Sequence, residues 1–205
     1  MKRRTLKAFV CGVFAGVFLV ACAGTRMTTT SVDEAHQGKP VSNILVIMVS
    51  HKDEIRRSFE SRFVTQLKAT GVQAVSSANA IPIPADQQLE KNVILKTVNE
   101  LGNDAVIITY LLAVEEKEIY TPPGGGRAGY YSHYDYVYRF SHDPGYFNTR
   151  TTVRLKTNLY DVKTEKLIWS GQAETVNPES KKQVIDEVIQ SVIKDLQKNK
   201  LLPTQ

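Results

Sequence analysis

The sequence predicts an α/β (mixed α+β) fold. A single mixed sheet of three to five strands is packed with about three helices, in the order β-α-β-α-β-β-β-α. Three observations carry this expectation. Two uninterrupted apolar runs, Asn43–Val49 (NILVIMV) and residues 105–114 (AVIITYLLAV), read as strands buried on both faces. Two long stretches, residues 53–69 and 184–196, repeat apolar residues at helical spacing. Residues 151–160 alternate apolar and polar, as a half-exposed antiparallel strand does.

Each element follows from local chemistry. After the first apolar run, Ser50 and Asp53 offer capping side chains. Ile55, Phe59, Phe63 and Leu67 then recur every four residues and define a helix over 53–69, closed by Gly71. Residues 72–76 form a short strand and complete a β-α-β unit, whose crossover is expected to be right-handed. Pro82 and Pro84 break the chain. Leu89, Val93, Val98 and Leu101 mark a second helix, stopped by Gly102-Asn103-Asp104. The run at 105–114 continues into Glu115-Glu116-Lys117-Glu118, a polar extension expected to project beyond the core. Further on, Val153, Leu155, Thr157 and Leu159 share one face of a strand. Residues 161–165 turn, and 166–174 return as its hairpin partner with Trp169 in the core. Asn177-Pro178 reads as a cap followed by a first-turn proline. The stripe Val184, Ile185, Val188, Ile189, Val192, Ile193 and Leu196 lays the last helix flat on the sheet.

The amino terminus has a different logic. Lys2, Arg3, Arg4 and Lys7 precede 13 apolar or small residues, Ala8 to Val20, and small residues follow. That is a secretory leader; a spanning helix needs about 20 apolar residues. Leu19-Val20-Ala21-Cys22 resembles the lipobox of bacterial lipoproteins. The resemblance implies cleavage after residue 21, acylation of Cys22 and anchoring by lipid, with no further anchor required. It also implies, from Ala23 rather than Asp after the cysteine, sorting to the outer membrane of a Gram-negative envelope, on its periplasmic face. Residues 1–21 are then the leader, residues 22–40 (CAGTRMTTTSVDEAHQGKP) a lipidated flexible tether, and 41–202 the single folded domain.

Cleavage changes the charge balance. The full chain of 205 residues has 26 basic and 21 acidic residues, a net charge of +5. The leader carries four of the basic residues and no acidic one, so the mature chain is almost neutral. Together with the compartment, this disfavours nucleic acid as a partner. Cys11 leaves with the leader and Cys22 carries lipid, so no thiol remains for a disulfide, a metal or nucleophilic catalysis.

Residues 121–148 are the unusual segment. Pro122-Pro123-Gly124-Gly125-Gly126 cannot form regular structure, and an aromatic cluster follows. All nine tyrosines of the chain lie between residues 110 and 160. The alternation Tyr134-Asp135-Tyr136-Val137-Tyr138-Arg139-Phe140 fits a strand of a protruding hairpin with one aromatic face. Tyr and Arg are the residues of interface hot spots. Tyr130, Tyr131, Tyr134, Tyr136, Tyr138, Arg139, Phe140 and Tyr146 are therefore the candidate partner-binding residues.

Catalytic motifs are scarce. His133, Asp135, His142 and Asp143 match no metal-ligand spacing. The glycine triplet is not followed by Gly-Lys-Ser/Thr, and no Gly-x-Ser-x-Gly elbow occurs. His51 lies just past the first buried strand, where α/β sheets commonly place function. No cofactor and no metal are expected. The expected function is that of a non-enzymatic, lipid-anchored envelope protein that binds or scaffolds an envelope partner. The alternative is a protein that binds or hydrolyses glycan or peptide with the aromatic, His and Asp residues of 130–147. The element order and the terminal LYDVKTEKLIWSG hairpin and helix also resemble uncharacterised envelope lipoproteins whose domain looks like the amino-terminal domain of TolB. That resemblance implies a fold and no binding residue.

Overall fold

The computed structural model describes residues 24–121, 129–142 and 145–203. The leader and Cys22 lie outside them. The mixed α/β expectation holds, with more strands than expected. Six strands form one sheet: β1 (Thr25–Val32), β2 (Asn43–Val49), β3 (Gln73–Ser76), β4 (Ala105–Thr121), β5 (Tyr146–Asp161) and β6 (Leu167–Val176). Their spatial order is β1-β6-β5-β4-β2-β3. Strand β2 runs parallel to both β3 and β4; the β4–β5, β5–β6 and β6–β1 pairs are antiparallel. Five helices are described: α1 (Asp53–Ala69), α2 (Ser77–Ala80), α3 (Lys91–Glu100), α4 (Tyr130–His142) and α5 (Lys181–Lys198).

The two faces of the sheet are covered unequally. Ile44, Val46 and Met48 of β2 face the main core, under α1 and α5. Leu45 and Ile47 face a smaller core that α3 covers through Val98 and Ile94. Trp169 is fully buried in the main core, and its indole N–H donates to Asp195 Oδ1 at 2.9 Å, tying β6 to α5. Gly171 makes room for that ring. A Cβ at residue 171 would stand 2.2 Å from the indole.

One end of the sheet is closed by polar bonds. The Asp104 carboxylate accepts from Ser42 N, Ser42 Oγ and Asn43 N, while Asn43 Nδ2 donates to the carbonyls of Leu101 and Gly102. There, too, the Asp161 carboxylate caps the β5–β6 turn by accepting from Thr164, and Glu165 takes a φ of 54°.

Four expectations need correction. The tether at 22–40 is in part a strand: Thr25–Val32 pairs antiparallel with β6 along the sheet edge. Its β-branched threonines favour extended backbone. As a one-sided edge strand it buries little, and Met27 and Val32 are its contacts to the core. The segment 134–140 is helical, not a strand. An every-second-residue aromatic pattern also contains an every-fourth one. With no strand beside it, the segment takes the i,i+4 pairs Tyr134–Tyr138, Tyr136–Phe140 and Tyr138–His142. At α5 the cap is Ser180, whose Oγ accepts from Gln183 N; Asn177 instead adopts a φ of 47° and accepts from Thr151 N. At α1 the N-cap position is Lys52, without a side-chain cap, and Ser50 Oγ accepts from Lys52 N.

Strand β1 is also held by charge. Glu174, buried in β6, accepts from Arg154 at 2.8 Å and from Arg26 of β1 at 2.9 Å. Its carboxyl is held below the ordinary glutamate value, first by Arg154 and then by Arg26.

Gly171→Ala should destabilise the fold by about 1–3 kcal/mol, read as a lower urea midpoint, because the indole cannot retreat within a packed core. The Glu174 pairing yields a pH dependence. A carboxyl held low when folded stabilises fully above its unfolded pKa, about 4.3, and loses that effect as the pH falls through the folded value. Amide exchange of β1, corrected for intrinsic rates, should keep its protection from pH 7 to 5 and lose it toward pH 3. In Glu174→Gln that pH dependence should weaken.

Candidate functional site: a cleft and an arm at one end of the sheet

The connection from β2 to β3 leaves on one face of the sheet, through α1. The connection from β3 to β4 returns on the other face, through α3, and passes over β2. The strand order therefore reverses between β2 and β4; at their carboxyl ends β2 stops at Val49 and passes to α1, while β4 runs on to Thr121. Such a switch point is the usual crevice for ligands in α/β sheets. A cleft of 1210 Å³ opens there.

Its walls are mainly aliphatic. Ile47 and Val49 come from β2, Ile55 from α1, Leu111 and Val114 from β4, and Val184 from α5. The last β2–β4 pair is Val49 with Tyr110; from Leu111 onward, β4 pairs with β5 alone. A bulge at Leu111–Ala113 sits at the cleft wall. Besides Arg56, the charged or titratable side chains described at the cleft include His51, Asp86 and Lys181, all exposed, beside the neutral Gln87, Gln88 and Ser180.

A buried ion pair stands in this wall. Glu60 is fully buried and its carboxylate accepts four hydrogen bonds: from Met48 N at 2.9 Å, Ser77 Oγ at 2.8 Å, Ser76 Oγ at 2.7 Å and Ala78 N at 2.7 Å. Arg56, 4% exposed, lines the cleft. Its Nη1 donates to the Ile83 carbonyl at 3.0 Å. Its Nε is 3.8 Å from Glu60 Oε1, and neither Nε nor Nη2 has a hydrogen-bond acceptor. Sequence reasoning passed over both residues, because an Arg and a Glu four apart ordinarily mark the wet face of a helix. The available signal was their phase: Arg56, Phe59, Glu60, Phe63 and Leu67 form one buried stripe. His51, singled out for its place after β2, does line the cleft.

The second feature is an arm. Beyond the cleft, β4 and β5 continue as a two-stranded ribbon to the pair Thr121–Tyr146. Arg154 joins its base to the sheet by binding Glu115 as well as Glu174. Glu115–Glu118 thus project as expected, within the ribbon. Helix α4 has no buried residue and meets the ribbon through Phe140, whose ring is 6.3 Å from that of Tyr120. Tyr130, Tyr131, Tyr134, Tyr138, Phe140 and Tyr146 are exposed, Tyr136 is half-buried, and Arg139 pairs with Asp135 at 3.0 Å. The candidate residues are thus gathered on one projection.

The proposed His/Asp group does not converge. Asp135 is engaged by Arg139, His142 donates from Nδ1 to the Tyr138 carbonyl, and His133 is exposed on the helix. None of the three lines the cleft. Asp143 lies outside the described residues. Among the described residues, no group of three or more His, Cys, Asp or Glu is placed to hold a metal, and no helix is long and apolar enough to cross a membrane.

Three solved structures are similar in part. The PelC dodecamer from Paraburkholderia phytofirmans is 13% identical, with a TM-score of 0.45 over 88% of this chain and 99% of that one. Lipoprotein GNA1162 from Neisseria meningitidis is 18% identical, with a TM-score of 0.40 over 77% of this chain and 99% of that one. A PDZ domain protein from Parabacteroides distasonis is 8% identical, with a TM-score of 0.38 over 85% of this chain and 36% of that one. No curated protein sequence matches. The model of a domain of unknown function, DUF4136, matches residues 85–196, from the loop at the cleft mouth to the end of the α5 stripe. That is more than half of the chain, and the protein belongs to the DUF4136 family.

Proposed function

We propose that the protein is a non-enzymatic lipoprotein of the Gram-negative envelope, anchored in the outer membrane through Cys22, whose β4–α4–β5 arm docks an envelope protein partner at the membrane surface. One observation carries the docking role. Of the sixteen large hydrophobic side chains exposed among the described residues, thirteen lie between Leu111 and Phe147. An apolar concentration of this kind on an otherwise polar surface marks an interaction site. Rigid tyrosine rings bury area at little cost in conformational freedom.

The sheet register supports the place of docking. Thr25 pairs with Thr175, Thr175 with Val153, and Val153 with Val114. The start of β1 is therefore level with the base of the arm, at the same end of the sheet. Cys22 is three residues upstream, a reach of about 10 Å at most. The seven residues from Glu115 to Thr121 extend the arm by about 24 Å. A lipid at Cys22 would thus hold the arm against the membrane surface, and a partner of the arm would be met there. The lipobox and the leader support the anchor. The likeness to the TolB amino-terminal domain concerns the hairpin and the last helix, which carry packing residues. The alternative, glycan or peptide binding or hydrolysis at 130–147, gains no support from His133, Asp135 and His142, none of which lines the cleft.

The test replaces residues 122–145 with Asn-Gly, joining the paired residues Thr121 and Tyr146 by a two-residue turn. The melting temperature should change by no more than about 4 °C, because no α4 residue is buried. Crosslinking in cells should lose the partners captured by the intact protein. Incorporation of labelled palmitate should be lost in Cys22→Ala. A full set of partners in the shortened protein would remove the arm as the docking surface.

A further inference from the structure

We propose that the cleft between β2 and β4 binds a long-chain aliphatic carboxylate, a fatty acid, with its chain along the apolar walls and its carboxylate on Arg56. The proposal requires neither the lipid anchor nor the docking role of the arm. Three features select the chemistry. The walls are aliphatic side chains from both faces of the sheet, and the volume of 1210 Å³ exceeds that of common ligand pockets, about 300–1,000 Å³. That suits a flexible apolar tail better than a compact polar metabolite.

The second feature is the state of Arg56. A buried guanidinium normally satisfies its donors, and here Nε and Nη2 have no acceptor. Glu60 cannot supply one at 3.8 Å, since its oxygens already accept from Met48, Ser76, Ser77 and Ala78. Nε and Nη2 are both shielded in the wall, so the Arg56 side chain must turn toward the cleft it lines to meet a carboxylate, whose one charge and two acceptor oxygens match two donors on one cation. The third feature is the mouth, where Lys181 and the imidazole of His51 stand against the single acid Asp86. The entrance therefore does not repel an anion.

The experiment uses the full chain in phosphatidylcholine nanodiscs and a palmitate probe with a diazirine in its tail. After photolysis, the labelled peptides are mapped. Saturable labelling of residues 47–56 and 181–185 is expected. Excess oleate should reduce it at least tenfold, and oleyl alcohol at the same concentration should not. Arg56→Gln should lower it at least tenfold. That variant also leaves Glu60 without its counter-charge, so Val49→Trp provides the second arm. It narrows the mouth from a position 58% exposed and should lose labelling while keeping the wild-type melting temperature. Unsaturable labelling, equal competition by the alcohol, or full labelling of a folded Val49→Trp protein would overturn the proposal. A diazirine-bearing phosphatidylglycerol that labels these peptides when palmitate does not would assign the cleft to phospholipid and overturn it equally.

Discussion

The carboxylate of Glu60 joins four elements that the chain visits separately. It projects from α1 and receives the backbone of β2 at Met48, the hydroxyl of Ser76 at the end of β3, and both Ser77 and Ala78 of α2. Burying a carboxylate is costly unless its lone pairs are met and its charge is opposed. Both conditions are satisfied, by four donors and by Arg56. The arrangement fixes how far the end of β2 stands from the start of α2, and so sets one wall of the cleft. Arg56 bears the consequence. It is drawn into the wall as a counter-charge, yet Glu60 has no lone pair left to accept from it. Arg56 owes its burial in the cleft wall to the demands of a structural acid.

The two ends of the sheet have divided tasks. At one end Asp104, Asn43 and Asp161 close the loops with short side-chain bonds, and Val41 N donates to the Leu201 carbonyl, so the tail seals the core. At the other end the strands diverge. Strand β2 stops at Val49, β4 bulges at Leu112 and runs on, and α5 begins at Lys181 above the opening. The switch point, the bulge and the unequal strand lengths have one physical effect, which is to leave apolar side chains facing space instead of neighbours. Val49, Leu111 and Val114, each more than half exposed, are the clearest cases.

Legibility followed burial. The runs that became β2 and the first half of β4 were readable because a strand covered on both faces must be apolar throughout. Helices α1 and α5 were readable because their stripes face one core. Edge strand β1 was not, since a strand with one partner and little buried area has no apolar period to display. Helix α4 was misread because its aromatics satisfy both a two-residue and a four-residue period, and no core selects between them. Arg56 and Glu60 were hidden for the opposite reason: they are charged residues in buried phase. Composition pointed to a wet surface and spacing to the core, and in this helix spacing prevailed. The cleft itself could not be read locally, because its walls come from β2, α1, β4 and α5, which only the strand order brings together.

The arm and the cleft share more than an end of the sheet. Leu111 and Val114 line the cleft and also begin the ribbon that carries α4. The bulge between them adds a residue to β4 without one in β5, which bends the strand and re-aims the ribbon beyond it. Arg154 pairs across from Ala113, next to that bulge, and binds Glu115 of the ribbon and Glu174 of the sheet together. The two surfaces therefore share one support, because the strand that forms a wall of one is the stalk of the other.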